Sequence, residues 1–111
     1  MSYKIIPTDY FKKQVKQLLK NYPHLRQDLN ALNSTLLENP KCGKALGKKV
    51  YKIRLKSTDI SKGKRSGYRV ISYVMDDKEK IRLLTVYAKS RKANISDKEI
   101  VAILQQEGLI K

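Results

Sequence analysis

The sequence is poor in the residues from which most active sites are built. Its 111 residues include one cysteine, one histidine, one phenylalanine and no tryptophan. The single cysteine, Cys42, excludes an internal disulfide framework. With no His or acid beside it, Cys42 reads as an incidental thiol rather than a nucleophile. One His and one Cys cannot assemble a zinc cage. His24, at the expected start of a helix, reads as a surface or capping residue. Acids number only ten, and Asp76 and Asp77 sit in an expected turn, so a two-metal nuclease has few ligands. No P-loop or dinucleotide-binding glycine pattern occurs, and no cofactor is implied. No run approaches the roughly 18 apolar residues of a membrane span. The start, MSYKIIPTDYFKK, carries no cleavage-site pattern, and a reducing cytoplasmic setting without a membrane is expected.

What the sequence has in abundance is positive charge. The formal net charge is +15 and the isoelectric point about 10.0. That excess speaks of partners rather than fold, with nucleic acid first, an acidic protein second and an anionic membrane a poor third. It is unevenly spread. Residues 1–40 are net +3, residues 41–92 carry seventeen cations against four acids, and residues 93–111 are net −1. A solvated face accounts for Lys12, Lys13, Lys16 and Lys20. It does not account for the concentration of charge in the middle of the chain.

The length fits one domain, residues 1–111, with a modest core of Leu, Ile, Val and Tyr. SYKIIP reads as a short strand ended by Pro7, and Thr8 as a helix cap. Phe11, Val15, Leu18, Leu19 and Tyr22 recur at helical spacing and predict a helix over 9–21. Leu25, Leu29, Leu32 and Leu36 predict a second helix ending near Asn39-Pro40, which makes a helical hairpin. From residue 50 the period changes to two. Tyr51, Ile53 and Leu55 alternate with Lys52, Arg54 and Lys56, as in a half-buried strand. GYRVISYVM (67–75) is apolar on both faces except for Arg69, as in a central strand covered twice. KIRLLTVYAK (80–89) is a third strand of this run, and the short turns imply antiparallel pairing. Ser96 and Glu99 have capping-box spacing, Ile95 and Ile100 suit a hydrophobic staple, and Gly108 suits a C-cap. The order β-α-α-β-β-β-α predicts an α+β fold: a twisted antiparallel sheet packed against a helical hairpin and a C-terminal helix.

Any catalyst here must use Lys, Arg and Tyr, and RNA can be cut with that set. RNA brings its own nucleophile, the 2′-hydroxyl. Like-charge repulsion lowers the pKa of a lysine among arginines, and the guanidinium fork matches phosphate oxygens. Lys52, Arg54 and Lys56 share one strand face at about 6.5 Å spacing. Arg69 is the sole charge in an apolar strand, which costs free energy unless it is paired, to Asp59 or Glu38 for example, or used. Tyr87 and Lys89 share a face near the end of the last strand. By default Tyr87 is a core aromatic, Lys89 a solubilising strand end, and the Lys52–Lys56 row an ordinary solvated face.

The ordered set Y-K-I-R-L, a basic loop, S-G-Y-R-V-I and a strand ending Y-A-K resembles the RelE/ParE superfamily of bacterial toxin–antitoxin toxins. It is closer to the RelE-like and HigB-like branch, over nearly the whole chain. The resemblance implies a cytoplasmic mRNA endoribonuclease that enters the ribosomal A site, needs no metal and is restrained by a cognate antitoxin. It implies catalytic roles for Lys52, Arg54, Arg69, Tyr87 and Lys89, and RNA contacts for Lys56, Lys62, Lys64, Arg65, Arg91 and Lys92. On this reading Lys52 is the base, Arg69 and Arg54 clamp the phosphate, and Lys89 is the acid or a charge stabiliser. The sequence departs from several RelE-like members in lacking a Tyr or His near the C-terminus. Two other readings stay open: a ParE-like gyrase poison, and a non-enzymatic RNA- or ribosome-binding domain.

Overall fold

Strand turns into helix at Pro7-Thr8, and the first layer of the structure grows from that joint. The computed structural model describes residues 2–60 and 67–111. Strand β1 (Lys4–Pro7) leads into helix α1 (Asp9–Leu18), and α2 (Leu25–Glu38) folds back along it. Strands β2 (Lys44–Gly47), β3 (Val50–Leu55), β4 (Tyr68–Met75) and β5 (Lys80–Ala88) follow, with a 3-10 turn over Asp76–Lys78 before β5. Helix α3 (Asp97–Gln106) closes the chain.

The sheet order is β1-β5-β4-β3-β2. All neighbours are antiparallel except β1, which lies parallel to β5. This is the expected α+β architecture with two additions. Strand β2 was not foreseen, because KALG is short and mostly exposed and so has no buried alternate face. The parallel edge was not foreseen because pairing direction leaves no mark on a four-residue strand.

Each sheet face has its own apolar cluster. On one face Phe11, Val15, Leu25, Leu32 and Leu36 of the hairpin pack on Ile53, Tyr68, Val70, Leu83 and Val86. On the other, Ile100, Ile103 and Leu104 of α3 pack on Val50, Ile71, Leu84 and Tyr87. Full burial of a side chain such as Leu25 or Leu36 is worth about 1.5–3 kcal/mol. Strand β4 is third of five and covered on both sides, which explains its near-continuous apolar run.

Helix α3 forms as its ends dictate. The Ser96–Glu99 capping box is present at its start. At its end Leu109 N–H bonds the Leu104 carbonyl (2.9 Å) and Gly108 N–H the Gln105 carbonyl (3.1 Å), with Gly108 at φ +71°. That is a Schellman motif, and it needs the left-handed conformation glycine adopts without cost.

The β2–β3 hairpin turns through Lys48-Lys49, both at positive φ (52° and 69°) between the paired Gly47 and Val50. A two-residue turn with both φ positive favours Asn-Gly, and L-residues pay about 1–2 kcal/mol each for this region. Lys48→Asn with Lys49→Gly is therefore expected to stabilise the fold by about 1 kcal/mol, read as a higher urea midpoint at unchanged m-value.

Candidate active site

Register brings the expected residues onto the α3 face of the sheet. Arg54 of β3 lies directly opposite Arg69 of β4, which lies directly opposite Tyr87 of β5. Neighbouring strands are about 4.8 Å apart, so the three form one row across the sheet. Lys52 stands two residues along β3 on the same face, with Lys44 of β2 opposite it. Lys89 follows β5 two residues after Tyr87, and its N–H bonds the Gly67 carbonyl (2.9 Å).

Arg69 is only 5% exposed. Its Nη1 donates to the Tyr68 carbonyl at 3.2 Å. Neither acid considered as its partner pairs with it: Asp59 accepts from the His24 backbone at 2.8 Å and lies 2.6 Å from His24 Nδ1, and Glu38 is exposed at the end of α2. Among the described residues no carboxylate forms a salt bridge with Arg69. Tyr87 is 8% exposed, and among the described residues its buried hydroxyl has no hydrogen-bond partner. Burial raises its pKa while the Arg69 and Lys92 charges pull it back, so at neutral pH the phenol keeps its proton.

Lys52 is half-buried, and its Nζ donates to Asn94 Oδ1 at 3.3 Å. Its pKa is depressed, first by burial, then by the charges of Lys44, Lys89, Arg69 and Arg54. Those four cations are close enough for Lys52 to feel each of them. The Lys89 ammonium donates to the Ala93 carbonyl. Both lysines thus reach the segment between β5 and α3.

The remaining expected residues divide. Lys56 is exposed just past the end of β3. Lys62, Lys64 and Arg65 lie outside the described residues. Arg91 stacks over the Tyr22 ring at 5.8 Å, and Tyr22 packs on the hairpin-side cluster, away from the Arg54–Arg69–Tyr87 row. Lys92 pairs with Glu99 at 2.7 Å. Both therefore have intramolecular partners.

Three positions were not singled out by sequence reasoning. Lys44 needed β2 to be seen. Asn94 is an isolated polar residue in a connecting segment. Gly67 reads in sequence only as the head of the central strand, yet at φ +97° a Cβ there would sit 2.7 Å from the Leu55 carbonyl. It lets β3, β4 and Lys89 converge. Among the described residues no three His, Cys, Asp or Glu side chains cluster as metal ligands would. What the cluster offers is positive charge, forked donors, a lysine with a lowered pKa and a protonated phenol.

A fold of this order, bearing such a cluster on its sheet, defines a small toxin class. The family model described as RelE toxin of the RelE/RelB toxin–antitoxin system matches residues 3–108, and the chain belongs to that family. Among solved structures, a mutant of Escherichia coli toxin RelE in the free state is 22% identical. It aligns over 96% of this chain and 98% of its own, with a TM-score of 0.63. RelE bound to a peptide of the antitoxin RelB is 20% identical over 100% and 97%, at 0.55. The intact E. coli RelBE complex is 25% identical over 76% and 93%, also at 0.55. Among the described residues no helix is long and apolar enough to cross a membrane.

Burial and charge crowding at Lys52 together have a measurable cost. Its pKa in the fold lies below the ordinary lysine value of 10.5, so the folded state binds fewer protons than the unfolded chain between those two values. Stability of the wild type should rise with pH through that window. Lys52→Met is expected to raise Tm by on the order of a few degrees at neutral pH. That gain should shrink as pH climbs toward 10.5, a trend calorimetry across pH would read.

Proposed function

We propose that this toxin is a metal-free endoribonuclease that cleaves messenger RNA in the ribosomal A site and so stops translation. Lys52, in its deprotonated form, takes the proton from the 2′-hydroxyl. The 2′-oxygen attacks the adjacent phosphorus, and the bond to the 5′-oxygen breaks. Arg69 and Arg54 bind the non-bridging oxygens as charge gathers on them. Lys89, as an ammonium, gives a proton to the departing 5′-oxygen. The products are a 2′,3′-cyclic phosphate and a 5′-hydroxyl. Tyr87 keeps its proton and donates a hydrogen bond from the phenol to a phosphate oxygen, filling the place of the C-terminal Tyr or His found in several RelE-like members. Lys56 and the cations Lys62, Lys64 and Arg65 hold the RNA backbone, while Arg91 and Lys92 add only longer-range charge.

The observation that carries this reading is the buried Arg69, without a carboxylate partner among the described residues, in register with Arg54 and Tyr87, with Lys52 and Lys89 alongside. A surface that only held RNA backbone would not need a buried cation beside an unsatisfied phenol. A cytoplasmic cognate antitoxin restrains the toxin, an inference supported by the RelBE complex among the similar structures.

Single-turnover cleavage of programmed ribosomes tests the proposal. Arg69→Ala should lower the rate about 10²–10³-fold while ribosome binding persists. Tyr87→Phe should lower it about 10- to 100-fold, the loss expected of a hydrogen bond to a charged group. Because that hydroxyl has no partner among the described residues, Tyr87→Phe should leave Tm unchanged or higher. The wild-type rate should rise with pH up to the lowered Lys52 pKa, and that limb should vanish in Lys52→Met. Intact messages with broken DNA would point to gyrase instead, and ribosome binding without cut transcripts would reduce the protein to a binding module.

A further inference from the structure

We infer that Thr8, at the far edge of β5, is a positioning residue that sets the face on which Tyr87 and Lys89 stand; this rests on the catalytic reading above. Strand β5 is not regular. Arg69, Val70 and Ile71 of β4 pair with Tyr87, Val86 and Thr85, but Ser72 pairs with Leu83, so Leu84 is an extra residue. This bulge has a directional consequence. Residues two or four apart on a regular strand share a face. Leu83 and Tyr87 are four apart, yet Leu83 belongs to the hairpin-side cluster and Tyr87 to the α3-side cluster. The extra residue reverses the alternation. If the same residues alternated regularly, Tyr87 would share the face of Leu83, in the hairpin core and away from Arg69, and Lys89 would turn with it.

Thr8 is the side chain that holds the bulge. It is fully buried. Its N–H bonds the Leu83 carbonyl at 3.0 Å, and its hydroxyl lies 2.9 Å from that carbonyl and 3.2 Å from the carbonyl of Leu84. The same hydroxyl oxygen accepts from Phe11 N–H at 3.1 Å, capping α1. One hydroxyl thus ties the start of α1 to the two carbonyls of the irregular step. Slipping β5 by one residue would strand those carbonyls. The parallel β1–β5 pairing ends at Pro7 opposite Leu83, which delivers Thr8 to this place.

Three variants test this: Thr8→Val, Thr8→Ser, and Leu32→Val as a control that loosens the hairpin-side core without removing any hydrogen bond to the Leu83 and Leu84 carbonyls. Thr8→Val should lower the maximal single-turnover rate at least about tenfold with half-saturation by ribosomes unchanged. Thr8→Ser should stay within about twofold of wild type. Leu32→Val should lower Tm without changing the rate below its melting range. A second readout is independent of cleavage: NMR contacts of the Tyr87 ring with Ile100 and Ile103, expected in wild type and Thr8→Ser and weakened in Thr8→Val. Unchanged rate and unchanged ring contacts in folded Thr8→Val would overturn the inference. So would wild-type ring contacts to Phe11 and Val15, which decides the matter should Thr8→Val fail to fold. If the wild-type protein cuts no RNA, the catalytic proposal fails while the ring contacts still judge the role of Thr8.

Discussion

Strand register forces like charges together. At an effective dielectric of about 20, two unit charges about 6 Å apart repel by about 3 kcal/mol. Nothing about Arg54, Arg69, Lys52 and Lys89 would gather them in an open chain. They meet because the β3–β4–β5 ladder fixes their backbones, and the ladder is held by apolar clusters on both faces. The fold therefore gathers like charges around the one buried cation among the described residues, Arg69. Local conflict of that kind, imposed by an otherwise consistent framework, is what supports the proposed site.

The two faces divide the labour unevenly. The hairpin side is apolar and closes over the middle of the sheet. The α3 side covers only part of its face, and the polar row lies on that same face. The linker from β5 to α3 crosses close by, with Asn94 and the Ala93 carbonyl taking the lysine ammonium groups. These neutral acceptors orient the lysines without cancelling their charge, as a carboxylate would. Glu99, an acid whose charge reaches Tyr87, is engaged by Lys92 and by the Ser96 cap.

Much of this could be read from the chain. Helical periods located α1 and α2, Ser96 and Glu99 marked the start of α3, and Arg69 stood out as one charge in an apolar strand. Those signals are local, or depend on a single contrast between a residue and its neighbours. What escaped was set by partners distant in sequence. KALG has no buried face to reveal β2. LLTVY is apolar at four of five positions, so its pattern cannot disclose that Leu84 is an extra residue or which face Tyr87 takes. Arg91 and Lys92 looked free because their partners, Tyr22 and Glu99, are identified only by the folded path.

The bond between Thr8 and Leu83 spans 75 residues, and β1 has no other strand beside it. During synthesis the N-terminal helices emerge first and must wait, with Phe11 and Val15 uncovered, for a strand made far later. Closing so long a loop is slow compared with forming the hairpin itself. A nascent chain halted after β4 carries both arginines but neither Tyr87, Lys89 nor the strand that seats them. On the proposed mechanism the order of translation thus delays activity: a fragment abandoned midway is charged yet incomplete, and its exposed apolar helix face is open to aggregation.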